Sequence, residues 1–470
     1  MRIRHYFLFL LGFSLIACQQ GTPTESDNTV SAAPTETPFT VRIERVEGRD
    51  FLPALHSFIL ADHEDKWLML AGRTNGMHGF GQDGYQEKSL PHADFNDSIF
   101  VCSTTACQGM SVDFIPMPYQ SIFRATNLQH TEVGDALYIN GGYGENPSKD
   151  NLLERWDTYD YIAKINLPAF INAIEEQDPD AALAAMRFGR SPVIEATGGE
   201  LYHLDGYFYL VGGHQFNGTY VRGSDKHPIT QVYLNAVHKF KIEASGDSLR
   251  ITEVSKITDG LADDTTQFRR RDHPVTPALQ LKDGTLYPSV TLYSGVFTSP
   301  NNKIPGLAKN SIFTTPIYVY TDGSYAFDTT FAQQKNVYAC ANFVAYDGNT
   351  EMLYTTLMGG IGDGTTEVGY TNNVMTINRS LTGQATTTTT QDSIPANYRH
   401  GAEADMILSD APKVAAHPMV FDITDLATGE SMDIGYFFGG ILAEQSNPGG
   451  YGRGKSAASN ALFSITITRQ

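Results

Sequence analysis

The sequence predicts an all-β chain of radially repeated sheets, and three observations carry the prediction. An apolar run ending in glycine recurs six times, tight turns precede most of these runs, and a strand-like segment near the start can complete the last unit. The runs are Trp67-Leu-Met-Leu-Ala-Gly72, Ala136-Leu-Tyr-Ile-Asn-Gly-Gly142, Tyr207-Phe-Tyr-Leu-Val-Gly-Gly213, Val290-Thr-Leu-Tyr-Ser-Gly295, Leu353-Tyr-Thr-Thr-Leu-Met-Gly-Gly360 and Ile434-Gly-Tyr-Phe-Phe-Gly-Gly440. Their last glycines lie 70, 71, 82, 65 and 80 residues apart. An element recurring at such an interval is what ring-like repeat architectures produce. Glycine suits the end of the run, because the chain must turn sharply where backbones crowd an axis.

The turns come next. Gly134-Asp135, Asp205-Gly206, Asp283-Gly284 and Asp347-Gly348 each stand between an earlier strand-like run and one of the six. Such pairs supply the positive backbone angles that a two-residue hairpin needs. After each glycine end comes a loop and a third strand, three of which begin at Asn235, Asn373 and Asn460; a less regular fourth strand follows. Four antiparallel strands per unit and six units make a propeller. The chain stops after a third strand, residues 461–468, so the last unit lacks its fourth. Residues 39–46 alternate apolar and polar as a half-buried strand does, and they can fill that place. Joining the two termini in one sheet removes the open edges a ring would otherwise keep. Residues 168–186 break the pattern, with Phe170, Ile174, Leu183 and Met186 at helical spacing, and read as a helical insertion in the second unit.

The units resemble kelch repeats, most closely at 133–142 and 204–213, where a Gly-Asp or Asp-Gly turn leads into an apolar strand ending in Gly-Gly; His56-Ser57 is similar to the His-Ser that opens many kelch units. The resemblance implies a six-bladed kelch-type β-propeller over residues 39–470, with the N-terminal strand closing the last blade. It extends to exported kelch-domain proteins of Bacteroidota-type bacteria. Two departures stand out: loops that lengthen each unit beyond a compact kelch repeat of about 50 residues, and Ser294-Gly295 in place of Gly-Gly.

The N-terminus predicts where the protein goes. Arg2 and Arg4 precede an apolar run, residues 6–17, too short for a spanning helix of roughly 20 residues and suited to a signal peptide, residues 1–17. Leu15-Ile-Ala-Cys18 resembles the bacterial lipobox, which implies lipidation of Cys18. Residues 18–38, rich in Thr, Ser, Pro and Ala, read as a flexible tether. The expectation is an exported protein anchored by lipid to the bacterial envelope, at the outer membrane. Cys102 and Cys107 flank a hairpin loop between runs 98–102 and 110–115 and are expected to form a disulfide there. Cys340, in an apolar run, reads as a buried thiol.

The formal charge of −19, which becomes two units more negative without the leader, excludes nucleic acid as a partner. A Gly-x-Ser-x-Gly elbow, a His-Glu-x-x-His pair, a phosphate loop and a dinucleotide fingerprint are all missing from the sequence. The resemblance places a site at the mouth of the central channel, where strand entries and Gly-Gly loops share a face. The strand entries bring His56, Asn127, Arg271, Asp272, His273 and His417; the loops bring Arg73, Asn75, His78, Tyr143, His214 and Gln215. Histidines there suit a transition metal. Arg73, Arg124 and Arg271 suit a carboxylate or acidic sugar. The expected function is ligand or partner binding at this mouth, with a carbohydrate or a protein as the ligand. The alternative is an enzyme, either epimerase- or mutarotase-like on a sugar or oxidase-like with a His-bound metal. Galactose oxidase-like propellers pair Tyr and His at copper, but Tyr202-His203 lies at the other end of its strand. Sialic-acid epimerase propellers are similar in plan, with no catalytic set to match.

Overall fold

The computed structural model describes residues 36–78, 90, 92–146, 149, 155–218, 229–362, 369–382, 386–446 and 455–470. The leader, Cys18 and the tether up to residue 35 lie outside the described residues.

Burial patterns follow the sequence pattern. The glycine-ended runs form strands covered on both faces, as in Tyr207–Val211 and Met352–Met358, whose apolar residues are nearly all buried. A strand with one wet face alternates instead, and Phe39–Arg45 buries Phe39, Val41 and Ile43 while exposing Thr40, Arg42 and Glu44. Each apolar run is the second member of an antiparallel four-strand module. The first module is Ile59–His63, Lys66–Leu70, Ser98–Cys102 and Cys107–Ser111. The second is Gln129–Val133, Ala136–Asn140, Tyr161–Asn166 and Met186–Arg190. The third is Glu200–Leu204, Tyr207–Val211, Val237–Ser245 and Ser248–Ile257. The fourth is Val275–Lys282, Thr285–Leu292, Ile317–Tyr320 and Tyr325–Phe327. The fifth is Ala341–Asp347, Met352–Met358, Val374–Ser380 and Thr387–Gln391. In the last, Arg399–Leu408, Ser431–Ala443 and Leu462–Arg469 are joined by Phe39–Arg45, paired antiparallel from Phe39 opposite Arg469 to Arg45 opposite Phe463. The N-terminal strand therefore completes the sheet that the C-terminal strand leaves open.

Among the described strands, two parallel pairings depart from the antiparallel repeat. The outer strands of the second and third modules meet in parallel at Phe188–Ser248 and Gly189–Leu249, merging both into one eight-stranded sheet. Val420–Asp422, from a long connection in the last module, runs parallel to the fifth module's first strand. The expected helical insertion is two helices, α1 (Leu167–Glu175) and α2 (Pro179–Ala184), capped by the side chains of Asn166 and Asp178. The disulfide joins Cys102 and Cys107, although the fourth strand begins at Cys107 and ends at Ser111, earlier than the pattern suggested.

The apolar cores lie between modules. One cluster joins the first to the second, and others join second to third, third to fourth, fourth to fifth, fifth to last and last to first. This cyclic packing, with four-strand meanders side by side, is a β-propeller-type arrangement.

Candidate functional site

The first strand of every module faces a common interior, and residues from all of these strands line one cavity of about 650 Å³. At one end lies a ring of backbone hydrogen bonds. Ser57, Asn127, Gly198, Asp272 and Ala339, two or three residues before the first strands of their modules, and Glu403, inside Arg399–Leu408, all have positive φ, between 48° and 67°. Each donates its N–H to the carbonyl of its neighbour: Asn127 to Ser57 (3.2 Å), Gly198 to Asn127 (3.1 Å), Asp272 to Gly198 (2.8 Å), Ala339 to Asp272 (2.8 Å), Glu403 to Ala339 (2.7 Å) and Ser57 to Glu403 (3.4 Å). The chain of bonds closes on itself. Left-handed backbone is costly for side chains with a Cβ and persists only where the surroundings enforce it; here the ring enforces it. Gly198 is the position with no room for a Cβ, which would overlap Asp272 Oδ1.

Carboxyl groups occupy the cavity in tiers. At the ring, Glu403 Oε2 accepts from Ser57 Oγ (2.8 Å) and Asn127 Nδ2 (3.2 Å), while Asp272 Oδ2 holds Arg271 Nη1 at 2.5 Å. Further along come Glu200 and Asp405, the latter 3.4 Å from His130 Nε2. Glu132 and Asp62 follow, with the Asp62 N–H donating to Glu132 Oε1 at 3.1 Å. Enclosure pushes the carboxyl pKa values up, because a charged carboxylate loses water there. Burial, reinforced by Asp62, takes Glu132 to about 8; burial, reinforced by Asp405, Glu403 and Asp272, takes Glu200 to about 8. Glu200 is wetted by the cavity yet surrounded by protein, so its surface is exposed while its field is that of an interior. Glu403 and Asp272 are both raised by burial, with Asp272 adding to the effect on Glu403 and Arg271 opposing it on both. Asp405 and Asp62 are raised as well, first by burial.

The open end lies at the hairpin turns, away from the strand entries. Glu132, Gly134, Asp410, Pro418 and Met419 line that end and are exposed. The last module forms the rim, because its first and second strands are joined by residues 409–430 where others have a tight turn. Lys413 Nζ stands there, donating to the carbonyls of Ser409 (2.6 Å) and Ala411 (3.0 Å) and lying 3.8 Å from the centre of the Phe421 ring.

Of the residues expected at a mouth, the structure brings Asn127, Asp272 and His273 to this cavity. The others lie outside its lining. Arg73 is 1% exposed, stacked on Phe95 with Nε on Asn75 Oδ1 at 3.0 Å. Arg271 is held by Asp272 and Tyr233, and Arg124 pairs with Asp113 at 2.8 Å. These arginines are committed, which removes the expected carboxylate clamp. Tyr143 is buried with its hydroxyl on the Gly218 carbonyl, and Gln215 lies in the hairpin of His214–Asn217 with Thr230–Tyr233.

The histidines also separate. His56 is buried with Nδ1 2.9 Å from Ser57 Oγ, and burial with Arg73 and the nearby His78 pulls it down to about 3. His214 is buried against Tyr233, and His273 is sealed beside Gly212 and Gly295, where burial and Arg270 take it to about 3. His417 is buried within the 409–430 connection, on the opposite side from the strand entries. Among the described residues no three His, Cys, Asp or Glu side chains gather as a metal-binding group. The expected His-bound metal finds no such group: His56, His214 and His273 are packed beside strand ends, while His417 sits in the 409–430 connection. Tyr202 and His203 make no pair either; the Tyr202 hydroxyl donates to the Val275 carbonyl, and His203 packs on Phe208. Cys340 is buried in the wall and pushed up to about 12 by burial, a poor nucleophile.

Sequence reasoning missed Asp62, Glu132, Glu200, Glu403 and Asp405. Their signal was an acid inside a first strand, as in Glu403-Ala-Asp405. Such residues are costly to bury without a purpose.

No family model matches the chain, and no curated protein matches its sequence. Among solved structures it is similar to that of YjhT, at 10% identity and a TM-score of 0.44, over 89% of this chain and all of the other.

Proposed function

We propose that this protein is a ligand-binding propeller whose ligand, a small amine-bearing sugar, occupies the carboxyl-lined cavity. The observation that carries the reading is the tiered set Asp272, Glu403, Glu200, Asp405, Glu132 and Asp62 around one cavity whose described lining holds no arginine and, as its one lysine, Lys413 at the rim. Carboxyl groups held near neutrality donate as well as accept hydrogen bonds, which suits hydroxyls, and any that ionise attract an ammonium. The repeat pattern and the cyclic packing support a six-bladed kelch-type ring as the scaffold. The lipobox-like Leu15-Ile-Ala-Cys18 supports an exported lipoprotein of the bacterial outer membrane, facing its ligand at the surface or in the periplasm.

Calorimetry at pH 7 with glucosamine, glucose and glucuronate tests the ligand class. Glucosamine is expected to bind at least tenfold tighter than glucose, with no binding of glucuronate. Equal binding, or a preference for glucuronate, sinks the reading. Glu403→Gln removes one charge-assisted hydrogen bond, worth about 1.5–3 kcal/mol, and is expected to weaken glucosamine tenfold or more.

One observation favours a second reading, an acid–base enzyme on the same sugar. Glu403 and Asp272 lie in the same cavity, both raised above the usual carboxylate range by burial, and carboxyls brought nearer neutrality are suited to exchanging protons with a bound sugar. Anomer exchange of glucosamine, followed by NMR, is then accelerated by the protein and not by Glu403→Gln. An unchanged rate leaves binding alone.

A further inference from the structure

We propose that the cavity is blind: a ligand enters and leaves by the turn-side rim, and nothing threads through the ring of strand entries. This deepens the binding reading, on which it rests for the cavity's use, by naming the class of ligand. The occupant is a free small molecule or the terminal unit of a chain, never the middle of a polymer.

The floor is built from three layers. The first is the closed circle of six backbone hydrogen bonds already described. Backbones bonded in this way lie about 5 Å apart, so a six-membered circle leaves an opening of roughly 6 Å once atomic radii are removed. The second layer fills that opening. Ser57 Oγ and Asn127 Nδ2 both bond Glu403 Oε2, and Asp272 lies over Gly198, where even a methyl group would collide with it. The third lies on the far side of the ring. Val296, Ile312, Tyr338, Ile361, Tyr370 and Ile441 form an apolar cluster there, with Ala339 of the ring packed against it. Tyr338 leads into a first strand, Val296, Ile361 and Ile441 follow the glycine ends of second strands, and Ile312 and Tyr370 lead into third strands; the bridges Arg271–Val296, Tyr338–Ile361 and Ile361–Tyr370 tie them together. At the opposite end the lining residues are exposed, and the carboxyls there are less enclosed than those at the ring.

Selective capping tests the proposal in the full chain carrying Cys18→Ser and Cys340→Ala. A reporter thiol is placed in the cavity with Asn342→Cys, or with Thr131→Cys if the first variant does not fold by circular dichroism. A second thiol, Met419→Cys at the rim or Thr74→Cys on the strand-entry side, is first blocked by a bulky polymer maleimide that cannot enter. The rate at which a small methanethiosulfonate then labels the reporter is read by mass spectrometry. The rim cap is expected to slow labelling at least tenfold and the strand-entry cap to leave it unchanged. Labelling that persists with the rim capped, or that slows with the strand-entry side capped, overturns the blind cavity. A cavity that behaves as blind but binds none of the three sugars retires the ligand reading and leaves this one standing.

Discussion

Arg270 shows how far a single residue can depart from its type. It is fully buried, and its guanidinium donates to the carbonyls of Gln267 (2.8 Å), Ser294 (3.0 Å) and Thr315 (2.6 Å), with the Phe313 ring beside it. Burial brings its pKa down to about 9, still charged at neutral pH. It stands where the fourth module carries Ser294-Gly295 in place of Gly-Gly, and it ties together carbonyls that a regular strand end would pair otherwise. Arg270→Ala strips several charge-assisted hydrogen bonds and opens a cavity, so a loss of about 3 kcal/mol or more is expected in urea unfolding. A loss under about 1 kcal/mol would show that water replaces the side chain. The cluster Arg269-Arg270-Arg271 was legible as basic, but not as three separate partnerships. Arg269 pairs with Asp263, Arg270 with carbonyls, and Arg271 with Asp272 and Tyr233.

At the scale of elements, the strand Phe39–Arg45 has a role its length does not suggest. It buries Phe39, Val41 and Ile43 against the last module and covers the edge of Leu462–Arg469. Thr37 Oγ1 on Asn378 Oδ1 (2.8 Å) and Arg469 on the buried Asp347 (2.7 Å) carry the closure into the fifth module. Starting the chain at residue 46 removes three buried side chains at about 1.5–3 kcal/mol each, a loss on the order of 5 kcal/mol. It also bares a strand edge that pairs with other copies. A lower denaturant midpoint and concentration-dependent association in size-exclusion chromatography are the expected outcome; a stable monomer would refute the closure role. This element was legible in the sequence because alternation over seven residues is a strong signal and because a third strand at the other terminus lacked a neighbour. The 409–430 connection was not. Its parallel strand Val420–Asp422 is three residues long and gains meaning only beside Ala341–Asp347.

For the whole molecule, buried titratable groups set the dependence of stability on pH. Glu132 and Glu200 hold protons up to about 8 in the folded state, against an ordinary value near 4.5. The folded protein therefore binds more protons than the unfolded chain between those limits, and these groups make stability fall as pH rises through that window. The buried histidines act in the other direction. His56 and His273 are held at about 3, His400 and His417 at about 4, against 6.5, so stability falls as pH drops below 6.5. The two sets oppose each other from 4.5 to 6.5, and only the carboxyls act from 6.5 to 8. The melting temperature is expected to peak between about 5 and 6.5 and to decline toward pH 8. Glu132→Gln with Glu200→Gln should flatten that decline. A decline unchanged by the pair would assign it to other groups.

What the sequence determined by itself was the repeat: six glycine-ended apolar runs, their turns, and a terminal strand matching a missing one. These are local properties, written in the period of apolar residues and in turn chemistry, and they survive without knowledge of the neighbours. The site was a tertiary decision. Acids spread from Asp62 to Asp405 meet only because each first strand faces one axis, and histidines that read as a cluster are parted because three are packed beside strand ends and His417 is buried in the 409–430 connection. The direction of the opening was decided in the same way. Ser57, Asn127, Gly198, Asp272, Ala339 and Glu403 share no sequence motif; what unites them is a circle of hydrogen bonds between residues tens to hundreds of positions apart.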